Sequence, residues 1–197
     1  MKKYTWREAF EDSYEAALKG NSRAQNFVGY CYDQGRGVGR NPKAARRWYE
    51  TATQNGNLDA TFNLALMTQN GAGGRQDSRR AVCLYRKAAL LGDLPSQANL
   101  ALMLLDGEGV NANVPQGLHW LRRAAKRGDP IAQYNLGIAY ATGDYVSKSA
   151  TYAKRWLFKA AENGHPKARL RLRTLGVANI AGADPKPQAP KNLLPSH

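Results

Sequence analysis

The sequence predicts an all-α fold: a right-handed α-solenoid of antiparallel helix pairs with a 36-residue repeat. Three observations lead there. Small and apolar residues recur at a fixed step of 36 positions, each period holds two stretches with helical spacing, and glycines close both stretches at constant places. Self-similarity at 20 to 50 residues is the mark of stacked repeats, each of which needs its neighbours to bury its apolar face.

The columns run without an insertion or deletion. Val28, Leu64, Leu100 and Leu136 form one, and beside it runs the small column Gly29, Ala65, Ala101 and Gly137. Gly35, Gly71, Gly107 and Gly143 follow, then Trp48, Leu84, Trp120 and Trp156, then Ala52, Ala88, Ala124 and Ala160. The last column is Gly56, Gly92, Gly128 and Gly164.

Ala132, Leu136 and Tyr140 are spaced by four, which gives one face to a helix of about three turns, helix A. Ala153, Trp156, Leu157, Ala160 and Ala161 repeat the three-four spacing in helix B, which Gly164 closes. Asn21, Asn57, Asp93 and Asp129 precede each helix A, where a short side-chain oxygen caps free backbone amides. His165 holds the same slot before the final helix and is expected to cap or face solvent. Small residues such as Ala124 and Ala125 let helices approach, while Trp120 and Trp156 fill the space between pairs.

The ends fit the same register. Ala9, Ala16, Ala17 and Gly20 lie 36 residues before Ala45, Ala52, Thr53 and Gly56, so residues 1–21 read as a lone helix B, a capping half-repeat. Residues 22–165 form four repeats, and 166–176 a terminal helix in which Arg173 takes the small slot of Gly137. Residues 177–197 hold four prolines and few bulky apolar residues and are expected to be a flexible tail.

Composition narrows the function classes. Lys and Arg number 29 against 15 Asp and Glu, a formal charge of +14. The longest uncharged apolar runs are about ten residues, short of the roughly 20 that span a bilayer, so no membrane insertion is expected. The N-terminus has no apolar signal core, and a cytoplasmic location is expected. Cys31 and Cys83 are too few for a disulfide framework and are read as small buried apolar residues.

Two motifs imitate chemistry. Gly35-Arg-Gly37-Val-Gly39 looks like a phosphate-cradling loop, yet it follows a helix and recurs as Gly71/Gly73 and Gly107/Gly109, which marks a structural turn. His119, His165 and His197 fall in no triad or metal spacing, and Glu8, Glu11, Asp12 and Glu15 are spaced as a solvated helix face. No catalytic residue, metal or cofactor is assigned.

Ala-Gln-Tyr-Asn-Leu-Gly-Ile-Ala-Tyr-Ala-Thr-Gly at 132–143, followed by Ala153, Trp156, Lys159-Ala160-Ala161 and Gly164, resembles the Sel-one-like repeat, a relative of the tetratricopeptide repeat. Thr68 stands where Tyr is common, Gly74 where Val110 and Val146 sit, and Tyr145 replaces the second loop glycine. The resemblance implies an adaptor that assembles other proteins, in bacteria in envelope and host-interaction pathways among others. A cysteine-rich branch is associated with penicillin binding or hydrolysis, but its regular cysteine pairs are missing here.

By analogy with tetratricopeptide folds, helices A line the concave side. Their inward columns hold Asn26, Phe62 and Tyr134, then Tyr30, Leu66, Leu102 and Ile138, with Leu105 further along. Such an apolar stripe either binds a partner protein or packs on itself. Asn63, Asn99 and Asn135 form a neighbouring column that could clamp a peptide backbone or bond to an inter-helix loop. The cations gather instead on helices B, Arg122, Arg123, Lys126 and Arg127 among them, as a polyanion-binding ridge or a solubilising face. The expected function is a non-catalytic scaffold, regulatory or toxin-neutralising, that takes an acidic or extended protein segment in the A-helix groove. Nucleic acid is the alternative partner. A monomer with weak self-association is expected, since the two ends carry opposite charge.

Overall fold

A computed structural model describes residues 5–176; the expected Pro-rich tail lies outside the described residues. Among the described residues there are ten helices and no strands. They are α1 (Trp6–Leu18), α2 (Ser22–Gln34), α3 (Pro42–Gln54), α4 (Leu58–Asn70), α5 (Ser78–Leu90), α6 (Leu94–Asp106), α7 (Val114–Lys126), α8 (Pro130–Thr142), α9 (Ala150–Glu162) and α10 (Ala168–Thr174). The first nine are 13 residues each, and the starts of α2, α4, α6 and α8 step by 36, as the gap-free period requires. The chain forms two compact units, one ending at Leu91 and the other beginning at Gly92.

Helix ends are fixed chemically. Oxygens of Asn21, Asn57, Asp93 and Asp129 accept from backbone amides at the starts of α2, α4, α6 and α8, Asp129 from Ala132 at 2.6 Å. A second series, Asn41, Asp77, Asn113 and Ser149, does the same for α3, α5, α7 and α9. Each such cap stabilises by about 1 kcal/mol. Asp129 is buried, which holds its carboxyl above the usual carboxylate range against the lowering effect of its backbone hydrogen bonds.

The turn from helix A to helix B is the same loop four times. Gly35, Gly71, Gly107 and Gly143 take left-handed backbone as C-caps. The loop then returns a backbone bond, as from Asn41 N–H to Tyr32 O at 2.8 Å and from Asn113 N–H to Leu104 O at 2.7 Å. Gly37 and Gly73 are also left-handed, and a Cβ on either would run into backbone, Trp6 O and Pro42 O respectively. Tyr145 fills this slot in the fourth repeat with the same conformation, φ +62°. The loop shape is therefore kept there. Tyr145 donates its hydroxyl to Asp106 Oδ1 at 2.9 Å, which offsets part of the left-handed cost of about 1 kcal/mol.

In the first unit, Ala45, Tyr49, Ala52, Ala60, Leu64 and Met67 make one core cluster, and Ala9, Phe27 and Cys31 another. In the second, Leu157, Ala160, Ala161, Ala168 and Leu172 pack together. The small column sets helix spacing in both. A Cβ on Gly29 would lie 2.8 Å from the Tyr49 ring, and one on Gly137 would lie 2.7 Å from Leu157 Cγ. Trp120 is buried as expected, whereas Trp156 is half-buried, with Lys159 over its ring.

Buried amides link successive pairs. Gln25 donates to Ala17 O at 3.0 Å and accepts from Asn55 Nδ2 at 2.8 Å. Gln133 repeats this with Ala125 O and Asn163 Nδ2, at 3.0 and 2.9 Å. Each glutamine thus satisfies a carbonyl near the end of one helix B and the C-cap of the next.

Two expectations need correction. Cys31 is buried and its thiol is pushed up to about 12 by burial, but Cys83 is exposed, because its place in α5 is the solvent side of helix B. His165 caps nothing: α10 begins without a side-chain cap, and the imidazole stacks on Tyr134 at 4.1 Å between centroids. Burial, with nearby Lys167, lowers its pKa below the ordinary 6.5.

Gly56 has φ +79° and open space around it, so Gly56→Ala should cost about 1 kcal/mol, the left-handed strain alone. Gly73→Ala adds a backbone clash and should cost about 3 kcal/mol, melting several degrees lower; thermal denaturation of the two variants checks the ordering. Because the folded state resists protonating His165, its contribution to stability is complete above pH 6.5 and lost as pH falls below that value. The melting temperature of His165→Phe should therefore fall less than that of the native chain between neutral and mildly acidic pH.

Candidate functional site

The A helices carry apolar residues beyond those their cores need. In the first unit, Phe62 of α4 is half-buried against the Tyr85 ring, centroids 6.0 Å apart, and Tyr30 of α2 lies against both core clusters. Asn63 donates to Asn26 Oδ1 at 3.2 Å, one repeat away. Leu66, on the same helix, is 40% exposed.

In the second unit, Tyr134 and Ile138 of α8 are half-buried on the Leu157–Leu172 cluster, and Leu102 of α6 is half-buried. Asn99 and Asn135 each donate an amide hydrogen to the carbonyl four residues earlier, Pro95 O and Ile131 O, both at 3.0 Å. The loop-bonding role open to this column is therefore not the one seen. Helix backbone or, for Asn63, a neighbouring amide takes the donor, and the side-chain oxygens of Asn99 and Asn135 have no donor among the described residues.

Two predicted surface residues are core residues. Leu105 is 5% exposed because Gly117 stands where helix B otherwise carries Ala, and the leucine drives into the missing Cβ space at 2.7 Å. Asn26 is 8% exposed, held by its bond from Asn63. Two exposed apolar residues of the A helices escaped the sequence reading. Ile131, 39% exposed, follows Arg23, Asp59 and Pro95 in a column otherwise without large apolar residues, and Leu170, 64% exposed, continues the column of Phe62 and Tyr134 by one more step.

The basic residues lie on or just beyond α7, and Arg122, Arg123, Lys126 and Arg127 are all exposed. Arg123 sits over the Trp120 ring at 5.3 Å, and Arg127 donates to Gly92 O at 3.2 Å. These two also serve the fold. Arg122 and Lys126 have no ion-pair partner among the described residues.

Among the described residues no group of three or more His, Cys, Asp or Glu side chains is placed to hold a metal ion, and no helix is long and apolar enough to cross a membrane. His119 meets Trp120 edge-on and His165 stacks on Tyr134, so both imidazoles are engaged with aromatic rings.

Comparison with known proteins bears on what such a surface is for. The Sel1 repeat matches residues 22–57, 58–93, 94–129 and 130–165. A solved protective antigen of uropathogenic Escherichia coli, which displays an SLR fold, is 34% identical over 84% of this chain and 36% of that one, with a TM-score of 0.75. A Sel1 repeat protein from Oxalobacter formigenes is 35% identical over 80% of this chain and 65% of its own, with a TM-score of 0.66. An immunity protein from Pseudomonas aeruginosa shares the fold at 20% identity, TM-score 0.58, over 85% of this chain and 62% of its own. The chain thus spans less than two thirds of each of these three structures. No curated protein matches it. Sel1 repeat proteins generally serve as protein–protein interaction scaffolds. Four consecutive matched units, with the helix pairs and small-residue contacts that the repeat demands, establish that this chain belongs to the Sel1 repeat family.

Proposed function

We propose that the chain is a non-catalytic scaffold whose A helices hold a segment of another protein. One observation carries the reading: each compact unit presents the same short pattern on an A helix. Phe62-Asn63 with Leu66 on α4 is matched two periods later by Tyr134-Asn135 with Ile138 on α8. Core packing supports the aromatic ring, the amide carries hydrogen-bonding capacity, and exposed apolar surface lies beside it at Leu66 and Ile131. An extended segment needs this combination, apolar pockets for alternate side chains and amides for its backbone.

Asn99, Leu102 and Tyr30 extend this binding surface within their own units. Leu105 and Asn26 act behind it as support, since both are buried. A regulatory or toxin-neutralising adaptor works by such stoichiometric binding, and the high positive charge would speed encounter with an acidic partner.

A second reading has its own observation. Arg122 and Lys126 lie one helical turn apart on α7, exposed and without an ion-pair partner among the described residues, which suits contact with phosphates.

The two readings separate in one set of variants. Leu66→Ser and Ile131→Ser each remove a side chain that is about 40% exposed, so each should lower the melting temperature by only a few degrees. Each should weaken capture of a protein partner by about tenfold, measured by titration of the recovered partner. Arg122→Glu with Lys126→Glu should leave that capture standing at high salt. If capture instead disappears with nuclease treatment and is insensitive to the Leu66 and Ile131 changes, the scaffold reading fails and the basic surface binds the ligand.

A further inference from the structure

In the second unit, charge divides sharply between the two kinds of helix. α6 and α8 contain no lysine, arginine or histidine, and the turns that follow them, residues 107–113 and 143–149, contain Lys148 alone. The same stretches carry Asp106, Glu108 and Asp144. The other seven cations between Leu94 and His165 lie on or just after α7 and α9, all of them exposed. About 10 Å of helix separates the outer side of a B helix from helix A, as much as the Debye length of about 8 Å at physiological salt. The basic side is therefore largely screened from the A helices.

α6 and α8 present apolar surface set with oxygen acceptors. On α6, Asn99, Leu102 and Asp106 are spaced three and four apart and so share one side of the helix; on α8, Ile131, Asn135 and Ile138 do the same. The Tyr145 hydroxyl, from the turn after α8, reaches Asp106 at 2.9 Å and joins the ends of the two helices. Asn99 and Asn135 each give an amide hydrogen to the carbonyl four residues back. That bond commits the nitrogen to its own helix and leaves the oxygen, which accepts from no described residue, as the group open to a ligand.

Asp106 is the odd member. It is the last residue of α6, where the carbonyl end of a helix repels negative charge. In a chain with 29 cations against 15 carboxylates it has no ion-pair partner among the described residues, only the neutral hydroxyl of Tyr145. The same position holds Gln34, Asn70 and Thr142 in the other repeats, so the fold requires no charge there.

We infer that α6 and α8 seat a partner segment that is basic as well as apolar. Its apolar side chains lie on Leu102, Ile131 and Ile138, a lysine or arginine reaches Asp106, and further N–H donors meet the amide oxygens of Asn99 and Asn135. The inference rests on the reading of helices A as the binding side and narrows it. A carboxylate placed there would meet acceptors and a like charge, losing its hydration without return. A cation on Asp106 makes instead a charge-assisted bond, roughly twice as strong as a neutral one. Any acidic surface that the B helices attract thus belongs to a different part of the partner.

Selection from a random displayed-peptide library on the full chain, at physiological salt, tests this. The informative peptides are those whose binding Ile131→Ser weakens, because that change marks the α8 surface; circular dichroism confirms that each variant is folded. They should be enriched in lysine and arginine beside apolar residues and depleted in aspartate and glutamate. For the most enriched one, Asp106→Asn should weaken binding about tenfold in a fluorescence titration, and exchanging the peptide's cation for glutamine should do the same. Both changes together should cost no more than either alone, as expected of two groups in contact. Asparagine keeps an acceptor for the Tyr145 hydroxyl, so the end of α6 is preserved. Ile131-dependent peptides that are acidic, or without bias in charge, overturn the inference and leave the scaffold reading standing, as do basic peptides indifferent to Asp106→Asn. If no selected peptide depends on Ile131, this surface holds no extended segment, and the scaffold reading fails for the second unit together with the inference.

Discussion

How closely helix A can approach helix B governs the remaining structure. Gly29 beneath the Tyr49 ring and Gly137 against Leu157 leave no room for a methyl group, so the facing helix must present a large side chain at one fixed height. Once that height is set, the connecting loop has one length. The same loop recurs with the same backbone bond, and Gly37 and Gly73 are pressed against the start of the preceding B helix. An inserted residue would displace the small column from its partner and the loop glycine from its contact together. The gap-free period thus follows from two steric constraints, one within a repeat and one against the B helix of the repeat before it.

The same spacing divides the surface between two chemistries. Helices B bury an alanine-rich inner face and turn lysine and arginine outward, so most of the excess positive charge sits where it keeps the chain hydrated. Helices A are apolar on more than one side, and what the core does not absorb remains at Leu66, Ile131 and Leu170. Packing on the Leu157–Leu172 cluster, together with the His165 stack, supports the Tyr134 ring. A partner meeting it would cost the protein little additional side-chain ordering.

Much of this was legible as sequence because the constraints are local and repeat. The small column, the alternating helix types and the caps at Asn21, Asn57, Asp93 and Asp129 each show themselves four times. The second cap series was equally legible in principle, since Asn41, Asp77, Asn113 and Ser149 are all cap formers. What escaped depends on contacts between columns. Leu105 looks like its column neighbours until Gly117 is known to lie opposite it. Gln25 and Gln133 read as ordinary polar residues, and only the fold shows them joined to a carbonyl of one helix B and the cap of the next. Tyr145 shows the converse. Its loop accepts a residue the pattern disfavours, because a hydrogen bond from outside the loop compensates.

The two cysteines differ in one respect that reaches beyond packing. Cys31 is enclosed and its thiol stays protonated up to about pH 12, whereas Cys83 stands in water on α5. Thiolate is the reactive form, so the native molecule behaves towards an alkylating reagent as though it had one sulfur. A fluorophore attached under native conditions would mark a single known point on the first unit, without mutation. Opening of the core around Ala9 and Phe27 would raise the number of reactive thiols from one to two, giving that region of the fold its own chemical clock.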